Sequence, residues 1–392
     1  MPVLGRELIQ SGPMRILLVG FLAGALWAQN GLDLARLGAI PGRMQEFVAA
    51  GKVAGVVTLV GRSGGVVDLK ATGYFDLETK TPLRTDHIFQ IHSMTKPMVA
   101  IGILMLAEEG KLSISDPVEK HLPEFRTLPE KITLLQLLTH TAGMPLNPPP
   151  GIGELHGALH KPLADVALVY SQTPLGYRPG SKWQYSNAGI AVLARVLEVH
   201  SGMRFEDFLA KRIFEPLGMK DSYIFPPKEK WGRMPTAYIL RDGKPVKYTA
   251  DPLGEGAMKY RAGAKYSLPE GGVYSTANDL FLLYQALLRE GKAANGFRLL
   301  SPASVRQMRT VQTGELATNG PGMGWGLGCS VVRPGFSPMG MSPGTYGHGG
   351  RYGTYSFIDP AKDLIGIFLI HREGGGDERT AFVQMTYSAL VE

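Results

Sequence analysis

The chain has 392 residues, with 41 Lys and Arg against 34 Asp and Glu for a formal charge of +7, and it is 44% hydrophobic and 19% charged. That composition excludes disordered and fibrous chains, and without a run of five basic residues it offers no footprint for nucleic acid. The single cysteine, Cys329, excludes an internal disulfide, a thiolate zinc site and an iron–sulfur cluster.

Residues 16–28 form an apolar run, preceded by Met14-Arg15 and closed by the small residues Ala23, Gly24, Ala25 and Ala28. A bilayer needs about 20 helical residues, so this run is too short to span and suits the apolar core of a secretion signal. A terminal helix lying on the body is the alternative. The expectation is a leader over 1–28, cut after Ala28 or Ala25, and a chain exported to the periplasm or medium; it is cytoplasmic if the leader is not processed. No later stretch has 18 consecutive apolar residues, so the mature chain is expected to have no membrane span.

Apolar residues Leu34, Leu37, Ile40, Met44, Phe47 and Val48 then recur at helical spacing, and Pro41 kinks or restarts that helix. The β-rich runs 54–61 and 66–73, joined by Arg62-Ser63-Gly64-Gly65, predict a hairpin. Residues 98–107 are apolar nearly all round, so their helix is buried on most sides. Between about 111 and 219, helical patterns alternate with Pro and Gly breaks and no strand pair stands out. Residues 274–290 and 302–309 predict helices, 325–332, 354–359 and 364–371 predict strands, and 380–390 a terminal helix. Strands at both ends around a helical middle predict an α+β fold, an α/β sandwich whose antiparallel sheet is flanked by helices from both termini. The expected division is a sandwich of 29–105 with 265–392, and a mainly helical insertion over 106–264.

Three short motifs carry chemistry. In Ser93-Met94-Thr95-Lys96, residues three apart share a helix face, so hydroxyl and amine can meet. Pro97 places the helix start close to Ser93, where the helix dipole favours negative charge on the hydroxyl oxygen. Serine needs a base to become a nucleophile, and Lys96 can serve if burial lowers its pKa toward about 7–8. Taken alone, the tetrapeptide reads better as a helix cap with a solvated lysine. Tyr185-Ser186-Asn187 opens a helical run at a loop junction, where the phenol can act as base or proton shuttle and the Asn187 amide can hold a substrate carbonyl. A packed tyrosine and a capping asparagine are the plainer explanation. In His348-Gly349-Gly350, two glycines on a strand edge make sense if something must approach the backbone closely, such as a substrate acyl oxygen.

In this order, with Leu137-Leu138-Thr139-His140-Thr141-Ala142-Gly143-Met144 and Gly271-Gly272-Val273-Tyr274-Ser275-Thr276 between them, the motifs resemble the serine β-lactamase and penicillin-binding superfamily. The chain is most similar to its class C-like esterases, the family VIII carboxylesterases, over roughly 32–390. The resemblance implies Ser93 as acylated nucleophile, Lys96 and Tyr185 as coupled base, and the backbone N–H groups of Ser93 and Arg351 as oxyanion hole. It implies substrate contacts at Asn187, His348, Gly349 and Gly350, and neither metal nor organic cofactor. The Lys-Thr-Gly of β-lactamases is absent, replaced by His348-Gly349-Gly350. A drug carboxylate loses a fixed cation there, whereas a neutral ester loses little, and Arg351 is a candidate to replace the charge. The expected activity is hydrolysis of small short-chain carboxylic esters, with weak β-lactam hydrolysis beside it. A β-lactamase or cell-wall peptidase, an acyltransferase and a non-catalytic ligand-binding relative are the alternatives.

Gly61-Arg62-Ser63-Gly64-Gly65 also fits the Gly-x-Ser-x-Gly of α/β-hydrolases, but both flanks read as strand, so Ser63 is expected on a hairpin turn and not at a nucleophile elbow. His156 and His160 share a helix face without a metal signature. Pro148-Pro149-Pro150 marks a loop bordering the cleft, and Tyr223, Phe225 and Trp231 are candidates for an apolar acyl wall, with ordinary core as the default.

Overall fold

The computed structural model describes residues 28–29, 31–147, 161–248 and 264–391. The leader expected over 1–28, apart from Ala28, lies outside the described residues, as do His156, His160 and the Pro148-Pro149-Pro150 loop.

An eight-stranded antiparallel sheet forms the frame. In chain order its strands are β1 (Gly55–Arg62), β2 (Gly65–Asp76), β3 (Thr81–Pro82), β4 (Met323–Trp325), β5 (Ser330–Val332), β6 (Tyr346–Gly349), β7 (Tyr355–Asp359) and β8 (Leu364–Leu369), and in space they run β4-β5-β6-β7-β8-β1-β2-β3. Strands β1 and β8 are central and buried on both faces, so they read as unbroken apolar runs. Alternation along the pleat still sorts their side chains. Val57, Leu59, Ile365, Ile367 and Leu369 enter the large core on one side, while Val56, Val60, Leu364 and Phe368 enter a second core on the other. Each such side chain, fully buried, contributes about 1.5–3 kcal/mol. A charged residue at Leu59 would forfeit that and strand its charge inside the sheet.

Helices α1 (Ile40–Ala49) and α5 (Asp377–Ser388) close the second core, so an early and a late helix meet on one face of the sheet. On the other face lie α2 (Lys96–Glu108), α3 (Asn187–Ser201) and α4 (Ala277–Leu288). Helix α2 has no polar stripe: every residue from Lys96 to Leu106 is buried, because it runs between the sheet layer and the helical segment. Pro41 restarts the first helix, as expected: a short turn at Leu34–Gly38 ends and α1 begins with the proline in its first turn, where the missing N–H costs nothing.

Four expectations need correction. Tyr274–Ser275 is a strand paired with Phe89–Gln90, and the helix starts only at Ala277, because the Thr276 hydroxyl caps it by accepting the Asp279 N–H. The run 325–332 is a hairpin, β4 and β5, turning through Gly328 at φ +70°. The terminal helix spans Asp377–Ser388, starting earlier than its apolar residues suggest. Finally, Tyr238–Arg241 and Lys244–Lys247 form a hairpin absent from the prediction; Asp242-Gly243, both with positive φ, make its turn.

Candidate active site

The site is assembled at the start of α2. Ser93 lies in a 3₁₀ turn, His92–Thr95, that runs into the helix. This turn is fixed by the glycine-rich block upstream of α4: the Ile91 N–H donates to the Val273 carbonyl at 2.9 Å, and the Thr95 hydroxyl accepts the Val273 N–H at 3.1 Å. The Lys96 amine donates to the Ser93 hydroxyl at 2.9 Å and to the Glu270 carbonyl at 2.6 Å. Lys96 is 0% exposed. Burial lowers its pKa to about 7, against the opposing pull of Glu270. A substantial share of the amine is therefore neutral at physiological pH, and in that form it can accept the proton of the adjacent serine hydroxyl.

Tyr185 enters from the turn before α3, with its ring 4.8 Å from the Lys96 amine and its hydroxyl facing Ser93. A neighbouring ammonium would favour the phenolate, but burial dominates and pushes the phenol pKa up, so Tyr185 keeps its proton. His348 Nδ1 donates to the Gly349 carbonyl at 2.6 Å, which leaves Nε2 to accept the Tyr185 hydroxyl at 3.4 Å. Burial holds the His348 pKa down to about 3, with Lys96 acting in the same direction, so the imidazole is neutral.

Strand β6 supplies the third motif. Its pairing with β5 stops at Gly347, whereas its pairing with β7 continues to Gly349, so His348 and Gly349 present a free edge on one side. The two glycines differ. A Cβ on Gly350 would sit 2.5 Å from the Ile91 carbonyl and 2.1 Å from the Thr354 hydroxyl, so this glycine is required by the protein's own backbone. A Cβ on Gly349 would meet nothing within 3.7 Å. Thr354 fastens the arrangement: its carbonyl accepts the Gly350 N–H and its hydroxyl donates to the Ile91 carbonyl. Among the described residues, the backbone N–H groups of Ser93 and Arg351 donate to no carbonyl.

These groups open onto a cavity of about 600 Å³. Ser93, Tyr185, His348, Gly349 and Arg351 line it, together with an apolar wall of Trp183, Met323, Trp325, Val332, Met339 and Met341. Tyr223 and Trp231 pack instead with Ile88, Met234 and Tyr274, and Phe225 packs on the main core. Asn187 is not among the lining residues; its amide donates to Asn147 at 3.1 Å. The Arg351 guanidinium is paired with Glu373 at 2.7 Å, so its charge is spent locally. Arg379, stacked 5.1 Å over Tyr355, lines the cavity with no carboxylate partner among the described residues. Glu270, Thr354, Trp325 and Arg379 were not singled out from the sequence. Only Glu270, beside the Gly271–Thr276 block, and Trp325, in Gly322-Met323-Gly324-Trp325-Gly326, carried a local signal.

Ser63 tops the β1–β2 turn, with its hydroxyl donating to Asp363 at 3.0 Å, outside the cavity. No helix among the described residues is long and apolar enough to cross a membrane.

Comparison with known proteins matches the chain to the family model described as Beta-lactamase over residues 41–387. The chain is 31% identical to Esterase EstB of Burkholderia gladioli, over 86% of this chain and 91% of that protein. Among solved structures it is similar to EstCE1, a hydrolase with promiscuous acyltransferase activity (TM-score 0.79, 25% identity, 90% of this chain and 99% of that one). It is similar also to a penicillin-binding protein homologue from Pyrococcus abyssi (TM-score 0.72, 27% identity, 91% of this chain and 77% of that one).

Proposed function

Since the chain belongs to the Beta-lactamase family and is a serine hydrolase of that fold, we propose that it hydrolyses short-chain carboxylic esters through an acyl-Ser93 intermediate. The observation carrying this reading is the wholly buried Lys96 amine, 2.9 Å from the Ser93 hydroxyl at an apolar cavity. Neutral Lys96 takes the Ser93 proton as the oxygen attacks the ester carbonyl. The N–H groups of Ser93 and Arg351 hold the oxyanion, each such donor being worth about 2.7–4 kcal/mol. Tyr185, still protonated, passes a proton to the departing alcohol and recovers one by way of Lys96. Water then attacks the acyl carbon, its proton returns through the same pair, and Ser93 leaves. The methionine and tryptophan wall seats the apolar part of the ester.

Neutral His348 in the third motif favours an uncharged substrate, because it supplies no cation for a carboxylate. One observation supports a second activity: Arg379, in the same cavity and without a carboxylate partner among the described residues, could meet the carboxylate of a β-lactam, a place the sequence had assigned to Arg351. Comparing turnover of nitrophenyl butyrate with that of a chromogenic cephalosporin tests both, alongside intact-mass detection of the acyl adduct. A preference for the cephalosporin by orders of magnitude overturns the esterase reading. Arg379→Gln is expected to slow cephalosporin turnover and leave the butyrate unchanged. Export under the direction of residues 16–28 belongs to the same proposal, and recovery of the full-length chain only from the cytoplasm of its host would count against it.

A further inference from the structure

We infer that His140 is a positioning residue for Tyr185, holding the backbone on both sides of that phenol and packing against its ring. The inference rests on reading Tyr185 as the proton shuttle. His140 follows the short helix Leu134–Leu138 and does not line the cavity. Its φ is +59°, the left-handed region that non-glycine residues seldom occupy. In that conformation its carbonyl and its ring reach the same neighbouring segment. The carbonyl accepts the Gln184 N–H at 2.9 Å and the Tyr177 hydroxyl at 3.2 Å, and ring Nδ1 accepts the Ser186 N–H at 3.2 Å.

Residues 184 and 186 are thus both fastened to His140, and the backbone that carries Tyr185 between them cannot shift without breaking one of these bonds. Flanking contacts extend the seam: Gly176 to Gly143, Gly180 to Thr141 and Asn187 to Leu146, each through backbone N–H to carbonyl. The His140 ring lies 4.5 Å from the Tyr185 ring and 5.0 Å from that of Trp325.

The chemistry of the ring favours this role over simple filling. Accepting at Nδ1 puts the proton on Nε2, and that buried N–H has no hydrogen-bond partner among the described residues. A residue selected for packing alone would avoid such a group, since leucine or phenylalanine fills space without it. Burial, with Lys96 nearby, also holds the imidazole neutral, which preserves the Nδ1 acceptor.

Two variants of the full chain test the inference: His140→Gly and His140→Asn. Both tolerate positive φ, but only asparagine places an oxygen near the position of Nδ1. Nitrophenyl butyrate turnover and fluorophosphonate labelling of Ser93 are the readouts, with folding checked by circular dichroism. His140→Gly is expected to lower kcat by about 100-fold, the cost of misplacing a reacting group by about an ångström, with KM within about threefold and slower labelling. His140→Asn is expected to recover most of the lost kcat. An unchanged kcat in His140→Gly overturns the inference, as does a folded His140→Asn that is equally slow. If His140→Gly does not fold, the asparagine variant decides alone: near-normal kcat supports the role, and a folded but slow enzyme removes it. A wild-type chain that neither turns over ester nor takes the probe would instead remove the reading of the site itself.

Discussion

Ser63 and Ser93 both stand on tight turns, and each hydroxyl lies about 3 Å from an ionisable group: 3.0 Å from the Asp363 carboxylate and 2.9 Å from the Lys96 amine. Ser63 even sits in the better-known hydrolase pattern. The difference lies in their surroundings. Asp363 is partly exposed and also accepts the Ser63 backbone N–H, so it ties a hairpin turn in place. Lys96 is sealed among apolar side chains, where its charge is penalised, and Ser93 faces a cavity. A short motif shows which atoms can touch; the dielectric around them determines what they can do.

The comparison breaks most directly by removing each hydroxyl. Ser93→Ala is expected to lower ester turnover by roughly 10⁵-fold or more, as loss of a serine nucleophile does elsewhere, while Ser63→Ala stays near wild type in the same assay. The reverse result would exchange the two assignments.

Lys96→Met sharpens it next. Turnover is expected to fall by about 10²–10⁴-fold, the usual contribution of a general base. Thermal melting should show the fold as stable as wild type or more so, by about 1–4 kcal/mol, because a buried ionisable group is replaced by an apolar one. A clear loss of stability would mean that the amine holds the structure together.

The third expectation concerns pH. Lys96 accepts a proton only when neutral, so kcat/KM should fall about tenfold per unit below its pKa of about 7 and level off above it. Folding lowers this pKa from 10.5, so the folded chain binds fewer protons than the unfolded one between the two values. The burial penalty is fully present below pH 7 and fades as pH rises toward 10.5, and melting temperatures of wild type and Lys96→Met should converge over that range. A flat profile between pH 5 and 8 would discard Lys96 as the base.

The smallest effect belongs to the decoy. Asp363→Asn should cost about 1 kcal/mol or less in a denaturant titration, from weakened bonds to Ser63, and leave ester turnover unchanged.

Much of the site was legible because its chemistry is local in sequence. Ser93 and Lys96 share one helix turn, Tyr185 sits at a predictable helix start, and the glycines of the third motif announce close backbone approach. Those residues come together in the structure, and the Ser63 hairpin forms where its flanking strands put it. Asn187 was adjacent to the right residue but turned toward Asn147. Arg351 had the right charge but is paired with Glu373. The apolar wall was misplaced onto Tyr223, Phe225 and Trp231, because aromatic residues near prolines look the same whether they face a core or a cleft.

The sequence by itself determined the central strands of the sheet, the buried helix and the spacing that lets a hydroxyl meet an amine, since propensity, periodicity and helix geometry act over a few residues. Only the tertiary structure decided that Lys96 would be dehydrated, that Tyr185 would keep its proton and that His140 would fasten both flanks of that tyrosine. Each of those outcomes depends on segments tens to hundreds of residues apart excluding water from the same small volume.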